Sequence, residues 1–235
     1  MSPFLGEFIG TALLIIMGDG VVANVVLNKT KGQNSGWIVI TFGWAMAVFL
    51  GVYAAQHFGS GGHLNPAVTI AMAAFGGFDS SLLATYIGAQ FAGAIVGAAI
   101  VWLAYKQHFA ETTDKDLKLA VFCTAPAIRS AGHNLITEII GTFVLVFGAM
   151  SMSPAASSLG TLDALPVGLL VLGIGLGLGG PTGYAINPAR DLGPRIAHFI
   201  LPISGKRDSD WGYSWIPVVG PVIGGVLAAY VFKLI

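Results

Sequence analysis

Residues 63–69 read His63-Leu64-Asn65-Pro66-Ala67-Val68-Thr69, and residues 187–191 read Asn187-Pro188-Ala189-Arg190-Asp191. Asn-Pro is helix-start chemistry: asparagine caps free backbone N–H groups, and proline at the next position loses nothing by lacking a donor. Each motif opens a short apolar segment, Pro66–Phe75 and Pro188–Ile200. At 1.5 Å per residue these reach about 15–20 Å, too short to cross a hydrocarbon core of about 30 Å. They read as re-entrant half-helices. One Asn-Pro-Ala in a chain of ordinary composition is unremarkable. Two, each heading a too-short helix at a matching place, are poorly explained as two ordinary caps.

The matching places come from a repeat. Glu7-Phe8-Ile9-Gly10-Thr11 corresponds to Glu138-Ile139-Ile140-Gly141-Thr142. Six long apolar segments surround the motifs, at about Phe4–Leu27, Gly36–Ala55, Leu82–Tyr105, Leu135–Met152, Leu165–Gly180 and Trp215–Leu234. Each half, approximately 1–106 and 134–235, holds three spans and one half-helix. Three is odd, so the second half is inserted upside down relative to the first. Inverted repeats place a shared site at the midplane, built from broken helices. The two Asn-Pro-Ala segments are therefore expected to enter from opposite faces and meet. Gly93–Gly97 and Gly220–Gly224 are small-xxx-small pairs that let helices approach closely.

Composition agrees. The 235 residues are 55% hydrophobic and 9% charged, against about 25% charged in an ordinary soluble domain. Mean hydropathy is +0.79. The expected fold is all-α: six tilted transmembrane helices and two half-helices forming a single domain over 1–235. Net charge is zero, which suggests no nucleic-acid partner. The single cysteine, Cys123, excludes an intrachain disulfide. The start lacks a basic region and a small-residue cleavage site, so its apolar stretch reads as a retained helix.

The two motif loops, with Tyr86-Ile87-Gly88-Ala89-Gln90 in the third span, resemble those of the aquaporin, or major intrinsic protein, family. The resemblance covers essentially the whole chain. It implies one pore per protomer, a homotetramer in the cell membrane, and both termini in the cytoplasm. Two helix starts aimed at the midplane each carry about half a positive charge. That field repels cations and disfavours a proton. Asn65 and Asn187 are expected to offer side-chain amides to a passing oxygen as well as capping. Pro66, Ala67, Pro188 and Ala189 complete the motifs. Arg190 matches the family's filter arginine; its other reading is a structural salt bridge. Glu7 and Glu138 are carboxyls within apolar spans and need donors. The resemblance implies that they brace the half-helix loops, with a proton relay as the alternative.

Three further positions set the width of the filter. Tyr184 precedes Asn187 by three residues, Gly175 precedes it by twelve, and Trp44 lies in the second span. Glycerol channels of the family carry two aromatics and a glycine at the corresponding places, and water-selective members commonly carry histidine where Gly175 stands. Gly175 is expected to open the pore, while Trp44 and Tyr184 hold the carbon face of a polyol and Arg190 binds its hydroxyls. Tyr184 departs from the family's phenylalanine, and the Trp44 match needs one extra residue around 56–61. Asp191, Arg195 and Pro217 also resemble the glycerol-type branch.

The five histidines show no metal-ligand spacing, and no cofactor, metal or enzyme activity is expected. His63 is read as packing beside the first half-helix, with lining of the inner vestibule as the alternative. Asp19, about 18 Å along the first span from Glu7 by helix rise, reads as a hydrogen-bonded carboxylate near the far interface or a lining of the outer vestibule. The expected function is passive diffusion of glycerol, other small neutral solutes and water, with ions and protons excluded. A water-selective channel and a coupled secondary transporter are the alternatives. One rule opposes the family topology: Lys29, Lys31, Lys106, Lys115, Lys118, Arg129, Lys206 and Arg207 fall outside, against the positive-inside rule.

Overall fold

Ser2 starts the first helix by accepting the N–H of Leu5, and Pro3 takes the position where a missing donor costs nothing. The computed structural model describes residues 2–152 and 160–235, and among them the regular structure is entirely helical. Helix α1 runs Pro3–Val26, α2 Trp37–His57, α3 Pro66–Phe75, α4 Leu83–Glu111, α5 Lys115–Ala120, α6 Ala131–Ser151, α7 Leu165–Leu178, α8 Pro188–Ile200 and α9 Ile216–Leu234. In lipid every backbone polar group must be satisfied within the chain, and helices do this locally. Five helices, α1, α2, α4, α6 and α9, are long and apolar enough to cross a membrane.

Two boundaries differ from the sequence reading. Helix α4 has 29 residues and continues through Lys106–Glu111, which reads as a polar loop. Hydropathy tracks where lipid ends, whereas the hydrogen-bonded ladder runs on into water. Helix α7 has only 14 residues, about 21 Å by helix rise. Gly179, Gly180 and Pro181 follow its last turn, and that sequence cannot continue a helix.

The packing carries the inverted repeat. Helix α1 packs on α4 as α6 packs on α9, and α2 meets α7 across the two halves. The half-helices are exchanged: α3 lies against α9, and α8 against α4. Glycine sets the approach in both halves. A Cβ at Gly93 would stand 2.3 Å from the Phe8 carbonyl oxygen, and one at Gly224 would stand 2.2 Å from that of Ile139.

Polarity is distributed as in a bilayer protein. Ile38, Leu103, Ile140, Leu169 and Leu227 face outward, while Glu7, Gln90, Glu138 and Arg195 are fully buried. A water-soluble protein rarely exposes so broad an apolar surface. The fold is all-α: the five long apolar helices and the shorter apolar α7, with the two half-helices α3 and α8, in an inverted repeat. Ion pairs join Arg207 with Asp116 of α5, Arg129 with Asp210 at 2.6 Å, and Lys29 with Glu111 at the end of α4 at 2.5 Å.

Candidate functional site

The two half-helices meet head to head. Asn65 Oδ1 accepts the N–H of Ala67 at 2.9 Å, and Asn187 Oδ1 accepts those of Ala189 at 3.0 Å and Arg190 at 3.2 Å. Each amide nitrogen then reaches across the junction. Asn65 Nδ2 donates to the Ile186 carbonyl at 2.7 Å, and Asn187 Nδ2 donates to the Leu64 carbonyl at 2.8 Å. Every side-chain amide nitrogen has two hydrogens, so this brace leaves one on each asparagine for a third group. Pro66 and Pro188 begin the helices, and Ala67 and Ala189 are fully buried beside them.

The crossing requires an unusual backbone. Leu64 and Ile186, the residues before the asparagines, have φ of 51° and 44°. This left-handed region is unfavourable for residues with a Cβ, and most of all for β-branched isoleucine. The buried carboxylates hold it in place. Glu7 accepts the N–H groups of His63 at 2.9 Å and Leu64 at 2.7 Å, with the Gln90 amide at 2.7 Å and the Ser60 hydroxyl. Glu138 accepts the N–H groups of Ala185 at 3.0 Å and Ile186 at 2.8 Å, and the Thr182 hydroxyl at 2.7 Å. Each glutamate thus holds the two residues before an asparagine, in both repeats. Ser60 and Thr182 are partners that the sequence reading did not identify, because nothing in the pattern marks a single hydroxyl in a loop.

A cavity of about 390 Å³ runs past this junction. Leu14, Val48, Val52, Val68, Leu145 and Val171 make an apolar wall. The lining also includes Gly61, Gly62, His63, Asn65, Asn187 and Arg190. His63 lines the cavity and pairs its Nδ1 with Thr69 Oγ1 at 3.2 Å.

Trp44, Tyr184 and Arg190 also line the cavity. The Arg190 guanidinium carbon lies 3.9 Å from the Trp44 ring centre, and the arginine is 8% exposed. The Tyr184 ring meets Trp37 edge-on at 5.8 Å, and Trp37 Nε1 donates to the Gly175 carbonyl at 3.0 Å. Trp37 is a further residue that the sequence pattern does not single out. Gly175 differs from its expected place. It is not among the residues lining the cavity. A Cβ there would stand 2.9 Å from Tyr184 Cζ, 3.0 Å from its hydroxyl and 2.9 Å from Thr41 Cγ2. The glycine makes room for the tyrosine to lean onto α7, so the cavity meets the ring while the hydroxyl is buried.

Asp19 also lies elsewhere than expected. It is fully buried, is absent from the cavity wall, and stands 3.6 Å from Arg190 Nη1. Asp191 and Arg195 form a separate buried pair at 2.8 Å. No cluster of metal-ligating side chains occurs among the described residues.

The sequence profile of the major intrinsic protein family matches residues 1–232. A probable glycerol uptake facilitator of Thermotoga maritima is 60% identical over 233 residues, covering 99% of both chains. Glycerol uptake facilitator protein 3 of Lactiplantibacillus plantarum is 53% identical, covering 98% of this chain and 95% of that one. The solved structure of the aquaglyceroporin from Plasmodium falciparum superposes with a TM-score of 0.86 at 31% identity, over 98% of this chain and 94% of that one. Head-to-head half-helices, exchanged packing and a match along nearly the whole sequence agree: this chain is a multi-pass membrane protein of the major intrinsic protein family.

Proposed function

We propose that the chain is a passive channel of the cell membrane for glycerol, similar small neutral solutes and water. The reading extends to a single channel domain over 1–235, a pore in each protomer of a homotetramer, and cytoplasmic termini. The observation that carries it is the cavity lining, to which Trp44, with the Arg190 guanidinium against its ring, and Tyr184 all contribute. A polyol has a carbon face and a row of hydroxyls. Two aromatic surfaces suit the first, and a guanidinium with its fixed fork of donors suits the second.

The rest of the lining continues the same division. The apolar residues of the lining offer no hydrogen bond, so a solute must turn its hydroxyls toward the polar ones. Gly61 and Gly62 can present only backbone, and Asn65 and Asn187 each keep one amide hydrogen after the cross-brace. At the junction two helix N-termini face each other, which disfavours a cation or a proton between them. Glu7 and Glu138 serve as braces here: each group that hydrogen-bonds to them among the described residues donates, an arrangement that suits an acceptor rather than a relay.

Tracer glycerol in proteoliposomes tests the passive reading. Entry should rise linearly with concentration and end at equal concentrations inside and out, with or without sodium or proton gradients. Accumulation above the outside concentration under an ion gradient would replace it with a coupled transporter.

A further inference from the structure

Helices α1 and α6 carry three buried carboxylates, and they are used differently. Glu7 and Glu138 accept several hydrogen bonds each. Asp19 accepts none from the described residues, although it is fully buried. A carboxyl in a membrane helix is costly and is retained for a partner or a pathway. For Asp19 the partner is a charge: Arg190 Nη1 at 3.6 Å, itself without a hydrogen bond among the described residues.

Arg190 has little alternative. The neighbouring carboxylate, Asp191, accepts the Thr124 N–H and hydroxyl at 2.7 Å each and binds Arg195 Nε at 2.9 Å. Arg195 is in turn used up on Asp191 and on the carbonyls of Ser209, Asp210 and Thr124. Among the described residues Arg190 therefore has one anionic partner within ion-pair distance, on the side away from the cavity. Gly18 completes the arrangement on the same turn of α1: a Cβ there would lie 2.2 Å from Trp44 Cζ3, so its absence lets the indole reach Arg190.

We infer that Asp19 is a specificity-determining residue of the filter, cancelling the charge of Arg190 from behind so that the filter takes neutral polyols without drawing in small anions. The inference rests on the proposed channel function. The guanidinium keeps its donors for hydroxyls, while its field on the cavity axis is reduced by a charge that solutes never touch. Asp19 acts through Arg190 and is a positioning and charge-balancing group.

The test uses unsubstituted protein, Asp19→Asn, Arg190→Gln and the double variant in proteoliposomes. Nitrate is the probe because it stays ionised. Its entry down a potassium nitrate gradient with valinomycin is read as a ratio to osmotic water permeability in the same vesicles, with glycerol entry recorded separately. The Asp19→Asn ratio should rise roughly tenfold or more, since a unit charge a few ångströms away acts strongly even at the effective dielectric of a protein. In the double variant it should fall back toward the unsubstituted value. An unchanged ratio in Asp19→Asn would overturn the inference, as would an equal rise in the single and double variants, which would mean loosened packing. If Asp19→Asn does not assemble but the double variant does, the two charges are coupled as inferred, because one unpaired buried charge is worse than none. If neither assembles, Asp19 serves the fold independently of Arg190 and the inference fails. Absence of glycerol entry in the unsubstituted protein would count against the channel function alone, because the nitrate-to-water ratio does not depend on it.

Discussion

Glu138→Gln removes a charge from a site built wholly of donors. The glutamine oxygen can take the place of Oε1 and keep the Thr182 hydroxyl and the Ala185 N–H, at 2.7 and 3.0 Å in the native protein. Its NH₂ then faces the Ile186 N–H, which the native Oε2 accepts at 2.8 Å. One buried charge-assisted bond is lost and one buried donor is left opposed, a cost of about 2–4 kcal/mol. The consequence is local. Ile186 is held at φ 44° by that bond, and its carbonyl receives the Asn65 amide. Without the bond the strained residue can relax and the cross-brace opens. In detergent the variant should melt roughly 4–16 °C lower, taking the usual scaling for a chain of this size. Glycerol entry in proteoliposomes should fall more steeply than stability, because the cavity wall itself shifts. Thr182→Val, which removes only the hydroxyl, should cost about 1 kcal/mol and spare most of the flux. Native melting and native glycerol entry in Glu138→Gln would refute the bracing argument.

Other expectations follow from the same geometry. Gly175→His should drive the Tyr184 ring off α7 into the cavity, since even a Cβ there stands 2.9 Å from Tyr184 Cζ and Thr41 Cγ2. Stopped-flow scattering should show glycerol entry reduced much more than water. Trp37→Phe keeps the edge contact with Tyr184 but loses the bond to the Gly175 carbonyl, so it should cost about 0.5–1.5 kcal/mol in thermal unfolding with little change in flux. Lys206 donates to the carbonyls of His198, Phe199 and Leu201 at the end of α8 at 2.5, 2.7 and 2.7 Å. Lys206→Met should therefore lower the melting temperature while leaving the solute preference intact.

The architecture was legible because it rests on duplicated signals. Asn-Pro-Ala twice and Glu7 matched by Glu138 constrain each other, and helices of 10 and 13 residues cannot span. Helix ends were less legible, since Lys106–Glu111 is polar yet helical and the glycines and Pro181 cut α7 short. Side-chain direction at the filter was not legible. Spacing places Gly175 and Tyr184 near one another but does not say that the glycine lies behind the ring rather than on the wall. Helix rise gives the depth of Asp19 but not which way it points, and that depends on α8 delivering Arg190. Several of the cations that the expected topology sets against the positive-inside rule have partners in three dimensions. Lys29, Arg129 and Arg207 each have an acidic partner, and Lys118 and Lys206 are held by carbonyls.

The central claim is that this cavity passes small neutral polyols. Stopped-flow light scattering on proteoliposomes challenged with glycerol, and separately with sorbitol, tests it most directly. The account predicts re-swelling with glycerol far faster than in protein-free vesicles, with sorbitol remaining outside. Fast water flux with no glycerol entry above the protein-free rate would contradict it.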